Sequence, residues 1–320
     1  MKKFFKRLLI IICLILIIGV AAVAIFLKSK LNKINFEDVK AEDIDINEGI
    51  EENLDNYTNI ALLGIDTRYD TFEGTRTDCI MIISINETTN DVKIASVYRD
   101  TYLQIDGHGL DKVNHAYDFG NAPLSLSTIN KNLDLDITKF VTINFNSVVS
   151  IVDAMGGVKI TVTAAEAGKI PGIYGAGTYN LTGKQALVYG RIRYIDDDYA
   201  RTGRMRNVVI SLFEKAKKLS YGEMNKLIDE LLPHVSTNIT QSEILSYASK
   251  INKYNVIDSF GWPYEVRPIE TGAWYAVPVT LESNVKKLHE DLFNVKDYEV
   301  SRTVKEISKK IITETGYSGD

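Results

Sequence analysis

The sequence predicts an α/β sandwich preceded by one N-terminal transmembrane helix. Three observations support this fold class: an unbroken apolar run near the N-terminus, short β-branched runs spaced along the body, and amphipathic helical patterns between them. At 320 residues, with 45% hydrophobic and 25% charged residues, the chain is long enough for one large globular domain. The body contains no internal repeat and no second linker, so we expect a single folded domain.

The N-terminal apolar run covers residues 8–27, which contain no charged side chain. At a rise of about 1.5 Å per residue, this run matches a hydrocarbon core of about 30 Å. The basic residues that flank it are slightly in excess on its N-terminal side, which favours a cytoplasmic tail at residues 1–7 and an extracytoplasmic body. A cleaved signal peptide is the alternative, because Ala22-Val23-Ala24 resembles a cleavage site, but the apolar run is longer than a usual signal core.

Charge is distributed unevenly along the chain. Residues 1–33 carry seven basic side chains and no acid, so the net charge of −5 leaves −12 for residues 34–320. An acidic body disfavours general binding to nucleic acid. Nine acids lie within residues 34–55, so residues 28–56 are predicted to be a solvated acidic linker and residues 57–320 the folded domain. The two cysteines, Cys13 and Cys79, provide neither a disulfide framework nor a cysteine-based zinc site.

Secondary structure in the body follows from two kinds of pattern. Short β-branched runs predict strands at residues 59–65, 79–85, 91–97, 140–145 and 158–162. Helical patterns occupy residues 124–133, 147–155, 205–219, 223–232 and 241–252. The motifs of several common enzymes are missing from the sequence: it has no correctly spaced P-loop, dinucleotide fingerprint, zincin histidine pair or Gly-x-Ser-x-Gly elbow.

Arginine provides the main chemical signal. Arg191 and Arg193 would share a face if their backbone were extended, and Arg201 and Arg204 would share a face on a helix. Four arginines within fourteen residues of an acidic body indicate a bidentate clamp for phosphate. The alternative is a set of surface ion pairs with the acidic run 196–198. Arg99 follows a predicted strand, where α/β sheets usually place ligands.

Two aspartates stand at strand ends. Asp66 follows one predicted strand and Asp78 precedes the next, so the two converge if those strands are antiparallel neighbours. Paired carboxylates beside a phosphate suit Mg²⁺, whereas the alternative is that they are ordinary turn or cap residues. Cys79 is predicted to be a small buried residue rather than a nucleophile. His108 and His115 flank a polar loop, where solvation is a commoner role than substrate contact.

Seven motifs in this order resemble the LytR-CpsA-Psr family over residues 57–219. The motifs are Leu62-Leu63-Gly64-Ile65-Asp66-Thr67-Arg68, Arg76-Thr77-Asp78, Tyr98-Arg99-Asp100-Thr101, Lys112-Val113-Asn114-His115-Ala116-Tyr117, Val152-Asp153-Ala154-Met155-Gly156-Gly157-Val158, residues 177–186 and residues 189–206. The resemblance implies a three-layer α/β/α sandwich with a central mixed β-sheet outside the membrane.

The resemblance also implies an activity and its residues. It implies a phosphotransferase that moves an anionic glycopolymer, such as teichoic acid or capsule polysaccharide, from a polyprenyl-pyrophosphate carrier to peptidoglycan, with Mg²⁺ or Mn²⁺ as cofactor. Residual pyrophosphatase activity is expected. Metal ligands would be Asp66 and Asp78. The implied pyrophosphate ligands are Arg99, Lys112, Arg191, Arg193, Arg201 and Arg204.

The expected reaction is attack by an acceptor hydroxyl, the 6-OH of N-acetylmuramic acid, on the sugar-proximal phosphorus. Arg99, Asp78 and Asp100 are the predicted catalytic residues. A carboxylate such as Asp78 or Asp100 would be a better base than Arg99, because a guanidinium remains protonated. Two alternatives remain: a non-catalytic anchored module that binds lipid-linked polymer, and a membrane-associated transcription regulator. The second is opposed by the acidic body and by the lack of a basic reading helix.

Overall fold

The structure is a computed structural model that describes residues 35–67, 71–220, 222–223, 227, 235–270 and 273–319. The apolar run at residues 8–27 lies outside these ranges, so its membrane role stays a prediction. Within the described ranges, no helix combines the length and the apolar character needed to cross a bilayer.

The described chain contains both strands and α-helices. The strands are β1 (Asn35–Phe36), β2 (Tyr57–Ile65), β3 (Thr77–Asn86), β4 (Asp91–Val97), β5 (Tyr102–Ile105), β6 (Gly109–Lys112), β7 (Lys139–Ile143), β8 (Val158–Val162), β9 (Gly177–Leu181), β10 (Val235–Thr237), β11 (Asn255–Trp262), β12 (Val266–Glu270) and β13 (Trp274–Pro278). The helices are α1 (Ile50–Leu54), α2 (His115–Leu133), α3 (Phe145–Ala154), α4 (Ala164–Ala167), α5 (Gly183–Gly190), α6 (Asp198–Ala216), α7 (Gln241–Lys250), α8 (Leu281–Phe293) and α9 (Arg302–Thr315).

Seven strands form one mixed sheet in the order β1-β10-β7-β2-β3-β4-β11. The central strands β2, β3 and β4 pair antiparallel, whereas β7 pairs parallel with β2 and β11 pairs parallel with β4. Three separate hairpins, β5-β6, β8-β9 and β12-β13, lie outside this sheet. The predicted strand at residues 158–162 therefore exists, but it belongs to a hairpin rather than to the central sheet.

The side chains of β3 show why the fold has three layers. Ile80 and Ile82 belong to a core shared with α2, α8 and α9, whereas Met81 and Ile85 belong to a core shared with α6 and α7. Successive residues of a strand point to opposite faces, so an uninterrupted apolar strand needs cover on both. Helices on both faces of a mixed sheet confirm the predicted α/β/α layering.

Residues 35–56 were predicted to be a solvated linker, and the structure corrects this. Ile44, Ile50 and Leu54 are buried in the main core, and β1 pairs with β10 at the sheet edge. The acidic residues of this segment lie between these buried apolar residues. Because acidic residues dominate the composition of the segment, the composition predicted a solvated linker. The folded unit therefore includes the described residues before Tyr57.

The C-terminal segment completes the layer that contains α2. Val285 on α8 is fully buried, and it belongs to the same core as Leu288 of that helix and Val304 of α9. Trp262, at the end of β11, is also fully buried and donates its indole N–H to the carbonyl of Asn284 over 3.0 Å. The sequence interpretation assigned no elements after residue 252.

His289 on α8 provides a pH-dependent contribution to stability. Its ring stacks on Tyr298 with centroids 3.7 Å apart, and Nε2 lies 3.0 Å from the carbonyl oxygen of Leu133. Burial lowers the pKa of His289 from 6.5 to about 4. The fold therefore holds the neutral ring, and protonation favours the unfolded chain.

We expect this contribution to be complete above pH 6.5 and to be lost as the pH falls toward 4. Between pH 7 and pH 5 the wild-type free energy of unfolding should fall by about 2 kcal/mol through this group alone. Urea unfolding of His289→Gln should show a pH dependence smaller by that amount. His108 is exposed, so His108→Gln is the matched control and should keep the wild-type dependence. An unchanged pH dependence in His289→Gln would contradict the assignment.

Candidate active site

A polar cavity opens to solvent at one end of the central strands. Its charged and hydrogen-bonding lining comes from the loop after β2, the start of β3, the turn after β4, and the junction of β6 with α2. The lining residues are Asp66, Gly74, Thr75, Arg76, Asp78, Arg99, Asp100, Lys112, Asn114, His115 and Asp118. The cavity therefore brings together both predicted metal ligands and three further predicted site residues.

Pairing between β2 and β3 explains the convergence of the two aspartates. Ile65 is paired with Thr77 and Gly64 with Cys79, so the register shifts at Asp78. A residue left out of the ladder at such a bulge can be directed away from the sheet. Asp66, which follows Ile65, donates its backbone N–H to the carbonyl of Arg76 over 3.1 Å. Asp66 and Asp78 therefore line the same cavity, as expected for antiparallel neighbours.

Arg99 lies between two carboxylates. Its Nη1 donates to Asp78 and its Nε donates to Oδ2 of Asp100 over 3.2 Å. The other Asp100 oxygen, Oδ1, accepts from Nζ of Lys112 over 2.7 Å. All four side chains are no more than 22% exposed, so these pairs are better shielded than ordinary surface ion pairs. The result is a continuous ion-paired row across the floor of the cavity.

The charges of the cavity lining bear on metal binding. Among the described residues of the lining, four carboxylates face three permanent cations, which leaves a net charge of −1 with histidine neutral. A pyrophosphate would meet an unfavourable field unless a divalent cation accompanied it. Asp66 and Asp78 supply hard oxygen donors of the kind that Mg²⁺ prefers. Among the described residues no group of three metal-binding side chains occurs, so remaining ligands would have to be substrate oxygens and water.

A second, apolar cavity lies beside the polar one. Branched and aromatic side chains from the sheet and from α3, α5 and α6 line it. Its lining residues are Leu62, Gly64, Ile65, Asp78, Cys79, Ile143, Asn144, Phe145, Val148, Ile151, Ala186, Leu187, Gly190, Arg191, Met205, Val208, Val209 and Leu212. A side chain at Gly64 would not fit, because its Cβ would lie 2.9 Å from Cβ of Cys79.

Asp78 lines both cavities. The charged row and the apolar space therefore meet at one carboxylate. Arg191 also lines the apolar cavity, with its guanidinium carbon 4.1 Å from the ring centroid of Phe145. Cation–π contact of this kind holds a planar guanidinium in a fixed orientation. Phe145 is the first residue of α3, although the sequence interpretation placed it at the end of a strand.

Arg191 and Arg193 share a third, more open cavity with Lys169. Their backbone is not extended as predicted, because Arg191 caps the C-terminus of α5 and Tyr194 has a φ of 67°. The two arginines nevertheless reach the same surface, on which Arg193 is exposed. Three cations here contrast with the acidic composition of the body.

The arginines of α6 divide into two roles. Arg204 is buried, and its guanidinium donates to Glu166 over 2.7 Å and also to Asp196. Burial alone would raise the pKa of Glu166, but hydrogen bonds from Thr163 and Arg204 outweigh it and lower that pKa. Arg204 lines none of the cavities described above, so the predicted pyrophosphate ligand is corrected to a structural ion pair. One of the predicted surface acids, Asp196, is indeed its partner.

Two further arginines of α6, Arg201 and Arg206, act electrostatically on Cys79. Burial raises the pKa of the Cys79 thiol to about 12, with a further rise from Asp78, while Arg201 and Arg206 oppose the change. Cys79 is thus a protonated thiol, but it is partly rather than fully buried, because it lines the apolar cavity. Arg201 is buried.

Arg206 was not predicted from the sequence. Burial lowers its pKa, and its charge acts on Tyr98 and Cys79. The Nη1 atom of Arg206 has no hydrogen-bond partner among the described residues. Arg206 lies three residues before Val209, which lines the apolar cavity, and residues three apart share a helix face. This spacing is the sequence signal that could have identified Arg206.

Known protein families and solved structures match this chain. A model of the LytR_cpsA_psr family matches residues 22–292. The chain belongs to this family. A solved structure described as TagT bound to LI-WTA has a TM-score of 0.63 and 26% sequence identity, covering 74% of this chain and 91% of that one. The family resemblance and the mixed α/β fold inferred from the sequence are confirmed.

Two curated relatives from Bacillus cereus have the name polyisoprenyl-teichoic acid–peptidoglycan teichoic acid transferase TagU. One, from strain AH820, is 37% identical over 193 residues, which are 58% of this chain and 62% of that protein. The other is 32% identical over 273 residues, 82% of this chain and 88% of that protein. The matched part of the chain therefore spans less than two thirds of the first relative and most of the second.

Proposed function

We propose that this chain transfers an anionic glycopolymer from a polyprenyl-pyrophosphate carrier to a hydroxyl of peptidoglycan, forming a phosphodiester. The observation that supports this most directly is the junction at Asp78 between a charged cavity and an apolar one. A ligand that fills both must combine a charged head with a long apolar tail. The names of the TagU relatives describe a polyisoprenyl-linked donor of that chemistry.

The proposed reaction is an in-line displacement. The acceptor oxygen, in our proposal the 6-OH of N-acetylmuramic acid, forms a bond to the sugar-proximal phosphorus, and the bond to the bridging oxygen breaks. The electron pair leaves with polyprenyl monophosphate. Such transfers depend on alignment and on neutralising charge at the phosphoryl oxygens. Arg99 and Lys112, held by Asp78 and Asp100, would supply that neutralisation at the head, together with Arg191 from the wall of the apolar cavity.

A divalent cation fits the donor set of the polar cavity. In the proposal, Asp66 and Asp78 hold Mg²⁺ or Mn²⁺, which would neutralise phosphoryl charge when bound. We expect transfer by the wild-type protein to fall at least about 100-fold when EDTA removes the metal, and to return when Mg²⁺ is added in excess. An Asp66→Asn variant should need more Mg²⁺ for half-maximal rate, because one anionic ligand is lost. Unchanged turnover in EDTA would contradict the metal assignment.

The function is tested by replacing Arg191, the arginine that lines the apolar cavity. Arg191→Ala should lower transfer of polymer from a purified polyprenyl-pyrophosphate donor to peptidoglycan by about 100-fold or more, because a transition-state charge contact is removed. Arg193→Ala should weaken donor binding with a smaller loss of rate, since Arg193 is exposed. Arg302→Ala is the matched control, because this arginine is 92% exposed on α9.

Full transfer by Arg191→Ala would reject the clamp. Donor binding without any turnover by the wild-type protein would instead favour a non-catalytic binding module.

We also propose that residues 8–27 anchor the chain as a single-pass segment in a bacterial cell membrane, with the domain outside. Protease added to intact cells should then remove the domain, whereas full protection would contradict that orientation.

A further inference from the structure

His115 lines the polar cavity and pairs with Asp111, and the reaction described above uses neither residue. Nδ1 of His115 lies 2.8 Å from Oδ2 of Asp111. A carboxylate only accepts hydrogen bonds, so Nδ1 is the protonated nitrogen of the neutral ring and donates to Asp111. Nε2 then has a lone pair. Among the described residues that line the cavity, His115 is the single histidine.

Backbone contacts hold this pair in place relative to Arg99. The second oxygen of Asp111 accepts from the backbone N–H of Lys112 over 2.7 Å, so both carboxylate oxygens are fixed. The N–H of Val113 donates to the carbonyl of Thr101 over 2.9 Å, and the N–H of Asn114 donates to the carbonyl of Arg99 over 3.2 Å. His115 is the first residue of α2. The segment that leads into His115 is therefore hydrogen-bonded to the turn after β4, which contains Arg99 of the charged row.

The two carboxylates named as bases from the sequence are already engaged. Both oxygens of Asp100 accept hydrogen bonds from Arg99 and Lys112, and Asp78 accepts from Arg99. Imidazole is the side chain whose ordinary proton affinity best suits proton transfer near neutral pH. A base held by a carboxylate, which fixes its tautomer and orientation, is a recurrent arrangement for activating a hydroxyl.

The geometry points to His115 as the general base that takes the proton of the acceptor hydroxyl, with Asp111 as its positioning residue. The inference rests on the proposed function. As the acceptor oxygen bonds to phosphorus, its proton passes to Nε2 of His115, and the electron pair of the broken P–O bond leaves on polyprenyl monophosphate. The sequence interpretation named Asp78 and Asp100 for this role. The structure assigns them instead to holding cations.

Several charged groups lie around His115 and will shape the pH dependence. They are Asp66 and Arg76 on the loop after β2, Asp78 on β3, Arg99 and Asp100 after β4, Asp111 and Lys112 on β6, and Asp118 on α2. His108 approaches from the preceding turn and stacks on Phe119 at 3.9 Å, and the Phe119 ring also meets the edge of His115 at 6.0 Å. His108 does not line the cavity, which makes it a matched histidine control.

The test measures the rate of polymer transfer against pH for the full-length protein in membranes or detergent. His115→Ala should lower kcat by about 100-fold or more while binding of a polyprenyl pyrophosphate is unchanged, and the acid limb of the wild-type profile should disappear. Added imidazole should restore part of the rate to His115→Ala, because the cavity can admit it. His108→Ala should behave as wild type, and Asp111→Asn should show a smaller loss than His115→Ala.

The outcomes separate this inference from the proposed function. Transfer by the wild-type protein that is lost in Arg191→Ala but retained in His115→Ala would overturn the role of His115 alone. A fall in kcat for His115→Ala with an unaltered pH profile and no imidazole rescue would give the pair a purely structural role, and would also overturn it. If the wild-type protein performed no transfer, both proposals would fail.

Discussion

Alanine in place of Arg99 is expected to lower the rate of transfer by about 100- to 1000-fold. Arg99 is the central member of the charged row, and its removal leaves Asp78 without its cation and Asp100 with Lys112 alone. The net charge of the cavity lining would fall from −1 to −2 with the loss of one cation, so a pyrophosphate head would also bind more weakly. Rate and donor affinity should therefore fall together. Single-turnover kinetics with a purified lipid-linked donor would measure both.

Arg99→Lys provides the matched control for this prediction. Lysine keeps the positive charge, but it cannot donate to Asp78 and Asp100 in the planar, forked geometry of a guanidinium. We expect binding close to that of the wild type and a rate between those of wild type and Arg99→Ala. If Arg99→Ala transferred polymer at the wild-type rate with unaltered affinity, the charged row would have no role in the reaction.

Tryptophan in place of Val148 is expected to weaken binding of long-chain donors by about 50-fold. Val148 lies on α3 and lines the apolar cavity. A larger side chain there would displace about three buried methylene groups of a prenyl tail, each worth about 0.8 kcal/mol. The loss should depend on tail length, since a short prenyl chain would not reach the obstructed space. Titration with prenyl pyrophosphates of increasing length would show this dependence.

The control for the tail experiment is the same substitution at a distant exposed site. Val295 is 37% exposed and lies after α8, so Val295→Trp should bind every chain length as the wild type does. An equal loss for short and long tails in Val148→Trp would indicate a general distortion of α3 instead. Wild-type affinity for the longest tails would show that the cavity does not hold the tail at all.

Local signals were sufficient for much of the site. Asp66 and Asp78 could be placed together because antiparallel neighbours bring the end of one strand to the start of the next, and β2 and β3 are such neighbours. Arg99 could be assigned to a strand end for a similar reason. These inferences depend only on the direction of consecutive strands along the chain, and the structure agrees with them.

Other features depend on distant packing that a single sequence does not reveal. Arg204 looked like a ligand because it lies one helical turn from Arg201, yet Glu166, 38 residues earlier, pairs with it. The buried residues of the segment before Tyr57 were obscured by their acidic neighbours. The position of Asp111 and His115 depends on hydrogen bonds to the turn after β4. No local sequence pattern predicts these hydrogen bonds.

The bulge at Asp78 has a consequence for how this fold can diverge. The extra residue of the bulge lies at the start of β3. Beyond it, the side chains of β3 still point alternately to the two helical layers. The connection before it supplies Gly74, Thr75 and Arg76 to the cavity rim. Insertions or deletions in that connection can therefore reshape the entrance of the cavity, while Asp78 stays where the sheet holds it.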